Sequence, residues 1–176
     1  MSRTQLRLEL DLDGEWERID SVREAVGYSV AATFGDGDLR DSLAMVTAEL
    51  LENALKYGEA EAGVRLSIVT EPEAVIVTVG NSVKDGSPHL AALQNRLAWL
   101  RQFDDPFTAY TTALGQVYDR KGPDGIDSGL GFARIGYEGR CLLTCDTSQP
   151  GFVWVSARRP RFEAVDVGAA GDARRS

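Results

Sequence analysis

The sequence predicts an α+β fold, a two-layer α/β sandwich whose mostly antiparallel sheet carries helices on one face. Three observations predict it. Strand-like alternation opens the chain at "QLRLELDLD" and returns near its end at "RCLLTCD" and "FVWVSA". Long helical periodicities lie between these stretches, two before a central hairpin and two after it. The resulting order is strand, helix, helix, strand, strand, helices, strand, strand, and hairpin-linked strands of this kind build an antiparallel sheet.

With 176 residues the chain is long enough for one full core and too short to need two, so a single domain is expected over residues 1–160. Residues 161–176 carry small and charged side chains with no period, the composition of a disordered tail. The net charge of −8 argues against a nucleic-acid surface built on phosphate neutralisation and favours a neutral or cationic partner. No stretch approaches the roughly 18 apolar residues that cross a bilayer, and "MSRTQLRLEL" lacks the apolar segment of a signal peptide, so the expected location is cytoplasmic.

Leu6, Leu8, Leu10 and Leu12 alternate with polar residues as a half-buried strand requires. "EWERIDSVREAVGYSVAATFG" then places Ile19, Val22, Val26 and Val30 on one helical stripe, with Gly35 as its stop. Asp36 or Asp38 caps the second helix, whose apolar face is Leu39, Leu43, Val46, Leu50 and Ala54 and which ends at Gly58. Val64 to Val69 and Ala74 to Val79 form a hairpin across "TEPE".

Ser87 and Pro88 open a third helix with Leu90, Leu93, Leu97 and Leu100 on one side, a stripe that reads as core packing. Asp105 and Pro106 cap and start a fourth, with Phe107, Tyr110, Leu114 and Val117 at helical spacing. "KGPDGIDSGLGFARIGYEGR" is a glycine-rich loop leading into a short helix that Gly139 closes. Arg140 to Asp146 and Phe152 to Ala157 are the closing strands.

Cys141 and Cys145, four residues apart on one strand, would lie about 13 Å from each other, beyond disulfide reach. They read as two buried thiols. His89 reads as a surface residue of a first helical turn, and Gly80-Asn81, taken alone, as a strand ending in a left-handed turn.

The stretch "AELLENALKYG" is the most informative. At about 100° per residue, Glu49, Asn53 and Lys56 fall within roughly 60° of one another on the side opposite the apolar face. An amide oxygen is a hard neutral donor suited to Mg²⁺, and a neighbouring carboxylate can accept a hydroxyl proton. Lys56 adds a point charge for phosphate. Later, "SGLG" at Ser128 to Gly131 offers backbone N–H groups at a helix start, an anion site by dipole and unsatisfied donors.

In these boxes and their order, the chain resembles the GHKL superfamily, the ATP-binding fold of histidine kinases, gyrase, Hsp90 and anti-sigma serine kinases. "ELLEN" matches its Glu-x-x-x-Asn box. The resemblance implies a histidine-kinase-like ATPase fold with ATP and Mg²⁺ as cofactors, Asn53 as the metal ligand and Glu49 as the catalytic base. It also implies nucleotide contacts from Lys56, Asn81, Ser128, Gly129 and Gly131. Asn81 stands where the family has an Asp that accepts from adenine, so the contact becomes a neutral hydrogen bond. Two amphipathic helices from Ser87 to about Asp119 replace the family's mobile lid loop.

These features resemble the small stand-alone bacterial members. They imply a serine/threonine kinase of a partner-switching, anti-sigma-like circuit, acting on a STAS-type antagonist domain; a homodimer is left open. The alternative is a GHKL-fold interaction module that has lost its nucleotide.

Overall fold

Leucines on alternate positions of β1 (Arg7–Leu12) lay the first row of the core, and two amphipathic helices follow, α1 (Arg18–Phe34) and α2 (Gly37–Tyr57). The hairpin β2 (Val64–Thr70) and β3 (Ala74–Ser82) comes next, then three helices, α3 (Pro88–Leu100), α4 (Pro106–Asp119) and α5 (Leu130–Tyr137). The strands β4 (Leu142–Asp146) and β5 (Phe152–Pro160) complete the fold. This computed structural model describes residues 5–13, 15–59, 63–84, 86–119 and 130–161.

The five strands form one sheet in the order β1-β2-β3-β5-β4, and every neighbouring pair is antiparallel. The register stacks Leu8 beside Ile68, Leu10 beside Leu66 and Leu12 beside Val64, so one face of the sheet is continuously apolar. Val75, Val77, Val79, Val153, Val155 and Ala157 extend that face through β3 and β5. The helical layer covers it, with α2 lying across β2, β3 and β5 and α1 packed on α2. This is the two-layer sandwich that the sequence predicts.

Local chemistry sets the helix ends. Gly35 takes a left-handed φ of 66° and donates its N–H to Ala31, and the Asp36 side chain accepts from the Leu39 N–H at 3.0 Å, so one turn stops α1 and caps α2. Ser87 accepts from His89, with Pro88 opening α3, and Asp105 accepts from Phe107 and Thr108 at the start of α4. The expected stripes of α1 and α2 are buried throughout. Leu43 and Val46 are fully buried, each stabilising by about 1.5–3 kcal/mol relative to exposure. Leu97 is buried, with Leu90, Leu93 and Leu100 packed at the margin of the core.

The structure corrects several local expectations. Gly80 and Asn81 do not end β3 in a left-handed turn; they remain in the strand, opposite Trp154 and Val153. The glycine is required sideways: a Cβ there would lie 2.3 Å from Trp154 Cε3 and 2.8 Å from Phe152 Cε1, so two aromatic rings use the space. Gly58 follows α2 with an ordinary negative φ of −88°. After α5 the left-handed position falls on Arg140, at φ 49°, directly after Glu138 and Gly139, whose N–H groups close on the Arg134 carbonyl.

β5 continues past Ala157 to Pro160 because β3 pairs along its whole length. Both cysteines are free thiols, and Cys141 is buried with its pKa pushed up to about 12 by desolvation. Cys145 is only half-buried, since β4 is an edge strand. The tail expectation for 162–176 lies outside the described residues, as do Ser128 and Gly129. No described helix is long and apolar enough to cross a membrane.

Candidate functional site

The middle of α2 separates two depressions of opposite character, and its polar ridge forms the wall between them. On one side is a cleft lined by Leu50, Asn53, Asn81, Leu93, Phe132 and Val153, among others. Its cavity measures about 20 Å³, room for about one water. On the other side is a solvent-open groove of about 540 Å³ between α1, α2 and α5, with Tyr28, Ala44, Glu49 and Arg134 in its walls.

Glu49 faces the groove and Asn53 the cleft, although helical spacing puts them on one ridge. The Asn53 side chain donates Nδ2 to the Glu49 backbone carbonyl at 2.8 Å, which leaves its oxygen as the atom a cation would take. The first turn of α5 closes on the same place. A Cβ on Gly131 would lie 2.5 Å from Glu49 Oε2 and 3.6 Å from Asn53 Nδ2, so the carboxylate end of Glu49 occupies the space that the glycine leaves.

Arg134, one turn further along α5, donates to Glu49 Oε1 at 3.0 Å and to Glu138 Oε2 at 2.7 Å. The Glu49 side chain is mostly buried, at 18% exposure. Burial raises its carboxyl pKa, and the Arg134 hydrogen bond and charge oppose that rise.

The remaining predicted residues are distributed differently. Asn81 is buried in the floor of the cleft, and its Nδ2 donates to the carbonyls of Ala54 and Ser82 at 3.3 and 3.4 Å. The side chain thus ties β3 to the last turn of α2. Lys56 is half-buried with its ammonium 4.9 Å from the Tyr57 ring centroid, outside the cleft lining. His89 is exposed as expected, yet it stands at the cleft rim with its ring 5.7 Å from that of Tyr57.

Sequence reasoning missed Arg134 and Phe132. Arg134 carries a local signal, its i,i+4 spacing to Glu138, but nothing in the sequence points to a carboxylate 85 residues earlier. Phe132 is buried behind Asn53 and, with Leu90 and Leu93, occupies the apolar end of the cleft.

The donor set fits a phosphate-bound Mg²⁺ at the Asn53 edge of the cleft, beside the backbone of Gly131, with Glu49 on the groove side of the same ridge. The cleft's cavity, about 20 Å³ in all, does not admit a purine in this arrangement of α3 and α5. Among the described residues no cluster of three or more His, Cys, Asp or Glu forms an all-protein metal cage.

No protein-family model matches the chain, and no curated protein does. The fold has a solved counterpart. A chain of the crystallised SiaB–SiaC complex from Pseudomonas aeruginosa superposes with a TM-score of 0.60 at 18% identity, covering 89% of this chain and 91% of that one. At that identity the likeness is one of fold, and it spans both the sheet and the helical layer.

Proposed function

We infer that the chain is a regulator of the partner-switching kind, a nucleotide-dependent protein serine/threonine kinase that acts on a small STAS-type domain. The observation that carries this reading is the division of labour across α2, with Glu49 on the open groove, Asn53 on the closed cleft and Gly131 against both. A kinase must keep its nucleotide and its protein substrate on opposite sides of the transferred group, in line with the attacking hydroxyl.

In this arrangement Asn53 would hold Mg²⁺ and the start of α5 would face the phosphates; bound nucleotide would supply the phosphoryl group. The chain's own residues do the rest. Glu49 accepts the proton of a hydroxyl entering from the groove, and Arg134 holds the carboxylate in place and ionised until the substrate arrives. Counterpart architecture in a chain crystallised as part of a two-protein complex adds support for a protein partner.

Two measurements test the reading. Melting with millimolar ATP·Mg²⁺ should raise stability by about 2.7 kcal/mol at 100 times the dissociation constant. Phosphate should then pass to a STAS-type protein encoded nearby. If no nucleotide shifts the melt at any Mg²⁺ level, the second reading takes over, that of a nucleotide-free interaction module. The filled apolar cleft and the Asn81 amide committed to Ala54 and Ser82 favour that alternative.

A further inference from the structure

Arg134 has two carboxylate partners, and only one of them belongs to the ridge of α2. Its Nη1 donates to Glu49 Oε1 at 3.0 Å, and its Nε donates to Glu138 Oε2 at 2.7 Å. Glu138 follows the last residue of α5, and its own N–H closes on the Arg134 carbonyl at 2.8 Å. The two side chains stand one turn apart, with the guanidinium reaching from α5 to α2.

Helix stability does not account for a carboxylate at this position. A negative charge at a helix C-terminus opposes the dipole, and an acid four residues after its base is the less favourable order for such a pair. The Arg134–Glu138 pair is also partly exposed, at 42% and 37%, where ion pairs contribute little to folding. Its consequence is geometric. A guanidinium turned squarely to one carboxylate grips both oxygens, the strongest pairing arginine forms. Glu138 holds the Nε edge, so Glu49 is bonded through Nη1 and Oε1, while Oε2 lies against the backbone of Gly131.

The other charges around Glu49 leave this role to Glu138. In the groove, Arg23 of α1 is paired with Asp20 at 3.1 Å and Arg40 of α2 with Asp41 at 2.7 Å, so each already has its acid. Glu24 and Tyr28 complete the α1 wall. Burial raises the Glu49 pKa, Arg134 opposes the rise, and the like charges of Glu52 and Glu138 add to it. From α4, Tyr110 hydrogen-bonds to Glu138. Glu138 thus acts on Glu49 twice, by its charge and by its hold on Arg134, and both effects run in the same direction.

We propose that Glu138 is a positioning residue for the base, one that diverts part of Arg134 so that Glu49 stays basic enough to take a hydroxyl proton, which presupposes the kinase reading of Glu49. A carboxylate fully paired with arginine is a poor proton acceptor. One held by a single bond keeps its place and more of its basicity.

Carbon-13 NMR titration of the Glu49 carboxyl in the full chain, with no nucleotide or partner present, tests the assignment. The signal is identified by its loss in Glu49→Gln. Glu138→Gln removes the charge, and Glu138→Ala removes the acceptor as well. The Glu49 titration should move to lower pH in both, and further in the second. Arg134→Gln should move it to higher pH, and Glu138→Asp, which keeps a charge beside Arg134, should return it toward wild type. In phosphate transfer, the acidic limb of the pH–rate profile should move with the NMR titration, and kcat at pH 7 should fall about three- to tenfold with the nucleotide KM unchanged. A Glu49 titration that stays in place in both Glu138→Gln and Glu138→Ala overturns the proposal, whatever the transfer assay shows. The expected shifts with no transfer by the wild type support the hold of Glu138 on Glu49 and sink the kinase reading instead.

Discussion

The Arg134 guanidinium sits 3.0 Å from the Glu49 carboxylate and joins α5 to α2 at the wall of the open groove. Burial lifts the Glu49 pKa above its ordinary 4.5, and Arg134 offsets only part of the rise. An acid with a raised folded-state pKa binds its proton more tightly in the native state. The stability that Glu49 contributes is therefore fully present below 4.5 and is lost as pH rises through its folded-state value. Glu49→Gln removes that penalty, so the variant should gain on wild type at pH 7 and lose the gain near pH 4. Urea melts at both pH values check it; a variant less stable by the same amount at both contradicts the assignment. In a transfer assay the same variant should bind nucleotide and lose about 10²- to 10⁴-fold in rate.

Asn53→Ala should abolish metal-dependent nucleotide binding and leave the fold intact. The side chain is half-buried, and the hydrogen bond it loses is to its own helix, where Ala is the better helix former. Melting without nucleotide and titration with ATP·Mg²⁺ read the two effects separately. A melt far below wild type with no ligand present would make Asn53 a structural residue.

Asn81→Asp discriminates between two demands on one side chain. The family resemblance expects a carboxylate to tighten adenine binding by about 1 kcal/mol, as a charge-assisted bond replaces a neutral one. The structure points the amide's donors at the carbonyls of Ala54 and Ser82, and Asp has no donor to give them. Loss of both bonds in a buried site should cost about 1–3 kcal/mol in a melt without ligand. An undiminished melting temperature would mean that Asn81 is not the tie between β3 and α2.

The fold was legible because its signals are periodic and local: Leu8, Leu10 and Leu12 for the first strand, Val22, Val26 and Val30 for the first helix, Asp36 for a cap. The site was half legible. Glu49 and Asn53 share a helix, so spacing alone placed them, whereas Gly131 came from a weak glycine signal. Which depression each would face was not readable, because α1, α5 and the sheet decide it from far along the chain. Gly80 shows the limit most directly. Its neighbours suggested a turn, but its reason is Trp154, 74 residues later and adjacent only through the register of β3 and β5.

Gly131→Ala tests the contact between α5 and the ridge. The new methyl meets the far end of a flexible side chain, Glu49 Oε2, so the carboxylate can swing aside at small cost in stability. Its position relative to the groove changes even so. Phosphoryl transfer should fall by at least about tenfold, while the melting temperature moves by no more than a few degrees. Unchanged transfer would separate Gly131 from the chemistry.

Leu93→Ala asks whether nucleotide enters where α3 now packs. Leu93 is a partly buried member of the cleft wall, so its truncation should cost less than the 2–5 kcal/mol of a fully buried leucine. If adenine enters this cleft, the wild type must first move α3 and Phe132 away, and the measured affinity is reduced by the fraction of molecules that are open. Removing the leucine side chain weakens the closed packing and raises that fraction. Calorimetry should therefore show tighter ATP binding in a less stable protein, an opposite movement of two quantities that a merely damaged fold does not produce. Weaker or absent binding in Leu93→Ala, with wild type binding normally, would place the base elsewhere on the surface and leave the cleft as core.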